Sequence, residues 1–223
     1  MTMVDDGATL HCLPLRPFAE LSKLMTLSFS YRKTTQALNY LARQAGGRIN
    51  KMKALKLVYF ADRYHLRKYG RPITNDEYFA MNFGPVASAT KDLAEGSDFR
   101  PDVEKQYASQ YLDAVSRYEY SSLAPVEEKV FSQSDREALE FAWTEFKEFD
   151  QFQLAELTHA YPEWKRHEAA LTGGVNSRVR MHFDDFLEDA PLGVNPCHPL
   201  SPEERAVRRD EIADLREIHN LWN

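Results

Sequence analysis

Asn50-Lys51-Met52-Lys53-Ala54-Leu55-Lys56-Leu57-Val58-Tyr59-Phe60-Ala61-Asp62-Arg63-Tyr64-His65-Leu66-Arg67-Lys68-Tyr69-Gly70 reads as one helix with its own start and stop. Asn50 can N-cap it, because its side chain accepts from an orphan amide of the first turn. Gly70 closes it, since glycine takes the left-handed C-cap conformation without a Cβ clash. At 100° per residue Leu55, Val58, Tyr59, Leu66 and Tyr69 form one broad apolar arc, and Leu57, Ala61 and Tyr64 widen it. Lys56, Arg63 and Arg67 fall together on the opposite side, with Lys53 nearby. A helix apolar around so much of its circumference is expected at the centre of a core. Asp62 sits inside the arc, among Leu55, Val58 and Leu66.

Downstream, Arg71-Pro72 breaks the helix, and Ile73 to Phe83 alternates. Glu77, Phe79, Met81 and Phe83 oppose Tyr78, Ala80 and Asn82, the period of an extended segment. Gly84-Pro85 forces a turn, and a helix restarts near Ser88 and runs to Leu93. Residues 95–110 are polar and poor in aliphatics, which predicts a mobile excursion. One or two short strands are expected between Tyr111 and Val130. Ser134 and Glu137 form a capping box for a helix through Phe149, with Leu139, Ala142, Trp143 and Phe146 facing inward. A helix over Phe152–Ala160 follows, then a turn opened by Pro162, a short helix over Phe183–Leu187, and a proline-rich loop from Pro191 to Pro199. Ser201-Pro202-Glu203-Glu204 starts a long helix to about Leu221, with a narrow stripe of Ile212, Leu215, Ile218 and Trp222. Upstream, Thr34 or Thr35 caps a helix carrying Leu38, Leu41 and Ala42, ended by Gly46-Gly47.

The expected fold is α+β and mainly α-helical: a single helical domain with a small β-sheet or hairpin and a long C-terminal helix. Residues 1–30 read as an N-terminal extension, 31–190 as the domain, and 191–223 as a linker with the last helix.

Hydrophobic residues make up 43% of the 223 positions and charged residues 28%, ordinary values for a globular chain that folds without disulfides. The two cysteines, Cys12 and Cys197, fit a reducing cytoplasm, and neither lies in a basic helical context that would make it reactive. No apolar run is long enough to span a bilayer, and Asp5 and Asp6 stand where a secretory signal would be basic. The net charge of −6 is uneven. Eight Lys or Arg lie between Arg48 and Arg71 against the single acid Asp62, whereas Pro72 to Asn223 holds 15 bases and 30 acids. That balance, without a helix-turn-helix, disfavours DNA as a partner.

Asp62 admits two readings. A buried carboxylate is costly unless paired or hydrogen-bonded, so it is either a catalytic acid or metal ligand, or a structural acceptor tying the extended segment to the helix. The second is favoured, because no other acid or nucleophile stands at a matched spacing. His65, three residues on, completes an Asp-x-x-His pair, yet no HExxH, CxxC or HxH supplies further ligands. Gly84-Pro85-Val86 lacks the phosphate-loop signatures and reads as a structural corner. Phe79, Phe83 and Tyr78 are the aromatics most open to contact with a partner. The residues alone describe an α+β domain with no legible active site and no cofactor.

Lys51 to Thr74, with its continuation Asp76-Glu77-Tyr78-Phe79-Ala80-Met81-Asn82-Phe83-Gly84-Pro85-Val86, resembles the Panacea domain, also called the SocA-like antitoxin domain or phage-associated protein family. The shared pattern is a helix ending in Tyr/Phe-x-Ala-Asp, a glycine, a short extended segment, and Gly-Pro-Val leading into a helix. Ser134 to Leu139 and Leu157 to Trp164 resemble its second half, so the likeness covers about residues 33–187. It implies an antitoxin, not an enzyme, that neutralises a cognate protein toxin by direct binding in the cytoplasm. One family member is an adaptor to the Clp protease, which keeps delivery to proteolysis as an alternative; a metal-dependent enzyme using Asp62 and His65 is the second. The candidate partner contacts are Arg63, Arg67, Tyr78, Phe79, Phe83 and Trp222, with Asp62, Gly84, Pro85 and Val86 as structural residues.

Overall fold

The computed structural model describes residues 28–174 and 176–221; Cys12, Trp222 and most of the expected extension lie outside them. The helices are α1 (Tyr31–Gln44), α2 (Lys51–Tyr69), α3 (Ser88–Glu95), α4 (Asp102–Ala108), α5 (Gln133–Phe146), α6 (Gln151–Thr158), α7 (Pro162–Lys165), α8 (Glu168–Thr172) and α9 (Pro202–Leu221). Two small antiparallel sheets accompany them. One has the order β1 (Arg48–Asn50), β5 (Glu119–Ser122), β4 (Leu112–Asp113). The other runs β3 (Gly84–Ala87), β2 (Tyr78–Met81), β6 (Val179–Arg180). The chain is thus α+β and mainly helical, as its periodicity predicts.

α2 starts and stops where its caps dictate. The Asn50 side chain accepts from the Lys53 amide, and Gly70 takes φ +77° while donating to the Leu66 carbonyl. The helix is buried on nearly every side. Phe60 stacks on Phe146 of α5 at 3.9 Å between centroids, and Tyr59 meets Tyr78, Tyr161 and Phe186. Such aromatic contacts add to the roughly 1.5–3 kcal/mol gained by burying each large side chain.

The side opposite the apolar arc, where the sequence gathers its cations, is buried as well. Lys56, Arg63 and Arg67 are fully buried. Arg63 Nε donates to Glu163 Oε1 at 2.7 Å, and its two terminal nitrogens reach the carbonyls of Pro196 (2.8 Å) and Glu188 (2.9 Å). Tyr59 adds a hydroxyl to the same Glu163 oxygen at 2.6 Å. Arg67 donates to the carbonyls of His198, Phe186 and Glu188 and to Asp189 Oδ1. The guanidinium forks therefore gather residues 186–198 around α2. Arginine suits this, because its five fixed donors can each find an acceptor.

Four local expectations need correction. α1 begins at Tyr31, and Thr34 and Thr35 are buried within it; the chain is set earlier by Ser30, whose amide donates to the Thr74 carbonyl at 2.9 Å. The α5 capping box is Ser132 with Asp135, not Ser134 with Glu137. Glu137 instead accepts from Tyr64, Tyr69 and Lys68 of α2, and these bonds, Lys68's first, hold its carboxyl down at about 2. α5 also ends at Phe146 rather than Phe149. Residues 95–110 contain α4, whose Tyr107 hydroxyl accepts from Gln36 of α1, so tertiary contact overrides a polar composition.

The Glu163→Gln variant leaves the Arg63 charge without its counter-ion in a dry site. It is expected to lose about 3 kcal/mol of stability, lowering Tm by roughly 6–12 °C. Chemical and thermal denaturation measure this, and a loss under half a kcal/mol would contradict the central role given to the pair.

Candidate functional site

Asp62 is the first fixed point. Its Oδ1 accepts the amides of Ile73 (2.7 Å) and Thr74 (3.1 Å), and its Oδ2 accepts the hydroxyls of Thr74 and Tyr78, the latter at 2.9 Å. Burial pushes this carboxyl up to about 6 against those four hydrogen bonds. The bonds lash the segment after α2 to the middle of the helix and so aim β2. Asp76 then repeats the device. It accepts the amides of Ala89 and Thr90 and the Thr90 hydroxyl, fixing the start of α3 behind β3.

His65 is occupied too. Nδ1 lies 2.6 Å from the Arg71 carbonyl and Nε2 lies 3.0 Å from Ser134 Oγ, and burial draws the imidazole down to about 4. Asp62 and His65 therefore face different structural partners, and among the described residues no group of three His, Cys, Asp or Glu is placed to hold a metal ion.

The β2–β3 hairpin is held at its tip from three directions. Met81 pairs with Gly84 across the two turn residues Asn82 and Phe83. The left-handed φ of +89° falls on Gly84, as in a turn closed by a glycine bulge. Trp164 of α7 donates its indole N–H to the Met81 carbonyl at 2.9 Å, with its ring stacked on His159 at 3.8 Å. Lys56 of α2 donates to the Pro85 carbonyl at 2.6 Å. Gly84 is pressed so closely on α6 that a Cβ there would lie 2.2 Å from Thr158 Oγ1. Pro85, without an amide hydrogen, sits on the outer strand of its sheet, where no ladder donor is needed.

This clamp leaves Phe83 outside, 61% exposed. Beside it opens a groove of about 1010 Å³ between the hairpin turn, the first turns of α2 and α6, and the β4–β5 turn. Met52, Leu55, Met81, Phe83, Val86 and Phe152 supply its apolar lining. Phe152 and Tyr118 are also largely exposed. The cations at the groove are Lys51, Lys56, Lys91 and Arg117; the acids are Glu95 and Glu119.

Of the residues expected to meet a partner, Arg63, Arg67 and Tyr78 are buried, which corrects their placement on a contact face: their polar groups are used inside the domain. Phe79 is half-buried, with the Arg178 guanidinium over its ring. Phe83 is exposed at the groove, and Trp222 lies outside the described residues. Sequence reasoning passed over Tyr118, Phe152 and Lys56 as groove residues. Phe152 had a signal, standing between Gln151 and Gln153 and off the Leu154–Ala155–Thr158 face that α6 buries.

The described residues form a helix-centred domain that presents a clamped hairpin beside an apolar groove. Residues 55–165 match the family profile of the antitoxin SocA-like Panacea domain, which is found over that part of the chain. The match spans the α2 helix from Leu55, both hairpin strands, α5 and α6, and ends with α7. No curated protein and no solved structure matches the chain. The family supports an antitoxin role in general terms. No helix among the described residues is long and apolar enough to cross a membrane.

Two measurements probe this geometry. Gly84→Ala combines a strained left-handed φ with the Thr158 clash and is expected to cost about 2–4 kcal/mol; a Gly84→Ala/Thr158→Ala double variant should recover part of it, and equal losses would refute the contact. Lys56 is drawn down to about 7 by burial, from the ordinary 10.5. Between those values the unfolded chain holds a proton that the folded chain lacks, so stability rises with pH across that window. Urea unfolding at pH 7 and pH 9 should show a gain on the order of 2 kcal/mol from this group, absent in Lys56→Met.

Proposed function

We propose that this chain is an antitoxin that neutralises a cognate protein toxin by forming a direct complex with it in the cytoplasm, and that it works by masking rather than by catalysis. The observation that carries this reading is the family match over residues 55–165, the part that contains α2, the clamped hairpin and α7. Physical chemistry supports it. The buried titratable groups at the helix centre are used by internal partners, and the exposed rings of Phe83, Phe152 and Tyr118 lie together beside a rigid turn. Preorganised aromatics of this kind are what protein interfaces use as anchors. We divide the chain accordingly, with 31–190 as the antitoxin domain and 191–223 as a linker and the C-terminal helix α9.

Delivery of the toxin to a Clp-type protease is a second reading, favoured by one feature of α9. This helix lies beyond the family match and is held by polar contacts on α2 and on residues 188–189: Arg208 donates to the Arg67 and Lys68 carbonyls, Arg205 pairs with Asp189, and Arg209 with Glu188. Ile212 is its buried apolar residue among those described. A helix attached in this way can detach without opening the core, which suits a handle.

Co-expression with the product of the adjoining reading frame separates the two. Under masking, growth is restored, the two proteins co-purify, and the toxin's half-life is unchanged by deleting the protease. Rescue accompanied by protease-dependent disappearance of the toxin selects the adaptor; rescue with no complex at any salt concentration rejects direct binding.

A further inference from the structure

We propose that the groove bounded by Phe83, Phe152 and Tyr118 is the docking site for one segment of the toxin, an apolar stretch that carries a carboxylate. This inference rests on the antitoxin reading and adds the surface and the chemistry of the segment it takes.

Three observations converge on the groove. The first is apolar exposure. Phe83, Phe152 and Tyr118 are 61%, 60% and 65% exposed and line the same depression. Phe99, Val103, Leu123, Leu192 and Val207, also more than half exposed, do not line it. An isolated exposed ring is ordinary, whereas several around one concavity mark a contact site.

The second is rigidity. Phe83 projects from a turn whose neighbouring carbonyls are held by Trp164 and Lys56 and whose glycine abuts Thr158. Phe152 stands in the first turn of α6, whose N-cap Asp150 accepts from the amides of Phe152 and Gln153. Neither ring rides on a free loop, so little ordering entropy is lost when a partner covers them.

The third is charge. The chain carries −6 overall, yet Lys51, Lys56, Lys91 and Arg117 line the groove against Glu95 and Glu119. Lys91 is paired with Glu95, and Lys51 donates to the Ser116 carbonyl. Lys56 uses one N–H on the Pro85 carbonyl, and Arg117 lies over the Tyr118 ring. Neither Lys56 nor Arg117 has a carboxylate partner among the described residues. Lys56 is buried and already committed to the Pro85 carbonyl, so Arg117, exposed and without a counter-ion beside apolar walls, is the cation that favours an incoming Asp or Glu flanked by apolar side chains.

The test uses the full chain and the product of the adjoining reading frame. Phe83→Asp and Phe152→Asp replace exposed rings, so folding should persist and Tm should move little. Each is expected to weaken the complex by roughly 30-fold or more, and Arg117→Glu to weaken it and reduce its salt dependence. Phe99→Asp serves as the control and should bind as the wild type does. A photo-crosslinking amino acid at position 83 or 152 should capture the toxin at an apolar segment within a few residues of Asp or Glu. Wild-type rescue and complex formation that survive both groove variants, or crosslinks arising from position 99 or 192 but not from the groove, overturn the docking site and leave the antitoxin reading standing. Binding of a small anionic aromatic such as a nucleotide, competing with no protein, also overturns it. Failure of the wild-type chain itself to relieve toxicity or form a complex sinks the antitoxin reading, and the docking site with it.

Discussion

The buried ion pair between Arg63 and Glu163 is the constraint around which this domain is organised. Two ionised groups in a dry interior carry a desolvation penalty of several kcal/mol each, offset only where every donor and lone pair is matched. Here the matching is nearly complete. Glu163 receives Arg63 and the Tyr59 hydroxyl, while Arg63 and its neighbour Arg67 take carbonyls from residues 186–198. Helix α2, helix α7 and a distant loop are therefore obliged to assemble together, since any one missing leaves a charge unpaired. Hydrophobic burial supplies most of the driving force, but it is not directional; the guanidinium forks set register.

The same logic, repeated with smaller groups, builds the exposed surface. Asp62 fixes the chain leaving α2, Asp76 fixes the start of α3, and Lys56 and Trp164 hold the carbonyls on either side of the hairpin turn. Each contact is a polar group satisfied from a neighbouring element, so the hairpin tip inherits the stiffness of the core. Phe83 is consequently exposed and stationary at once. Charge follows a similar division of labour. The cationic run of the sequence goes largely inward: Lys56, Arg63 and Arg67 are buried, and Lys51, also buried, gives its ammonium to the Ser116 carbonyl beside the groove.

The helix from Lys51 to Tyr69 was legible residue by residue, because its caps and its periodicity are local and agree with each other. The strand pattern around Tyr78, the corner at Gly84-Pro85 and the proline-led turn at Pro162 were legible for the same reason. Less was visible where an element is held by remote partners. α4 forms in a polar stretch because Tyr107 meets Gln36, and the α5 cap shifts two residues because Tyr64, Tyr69 and Lys68 claim Glu137. The groove was hardest to foresee, for it joins residues from positions 50 to 177 that share no motif.

Sequence alone determined the centre of this protein: which helix is buried, where it begins and ends, the sharp turn that follows, and the family to which the pattern points. Those features depend on backbone sterics and side-chain spacing, which act over a few residues. Tertiary structure alone decided which charges face inward. A helical wheel places Arg63 and Arg67 opposite the apolar arc without saying what they meet, and a guanidinium accepts burial when acceptors a hundred or more residues away close around it. Only the folded chain brings Glu163, Glu188, Pro196 and His198 to those forks.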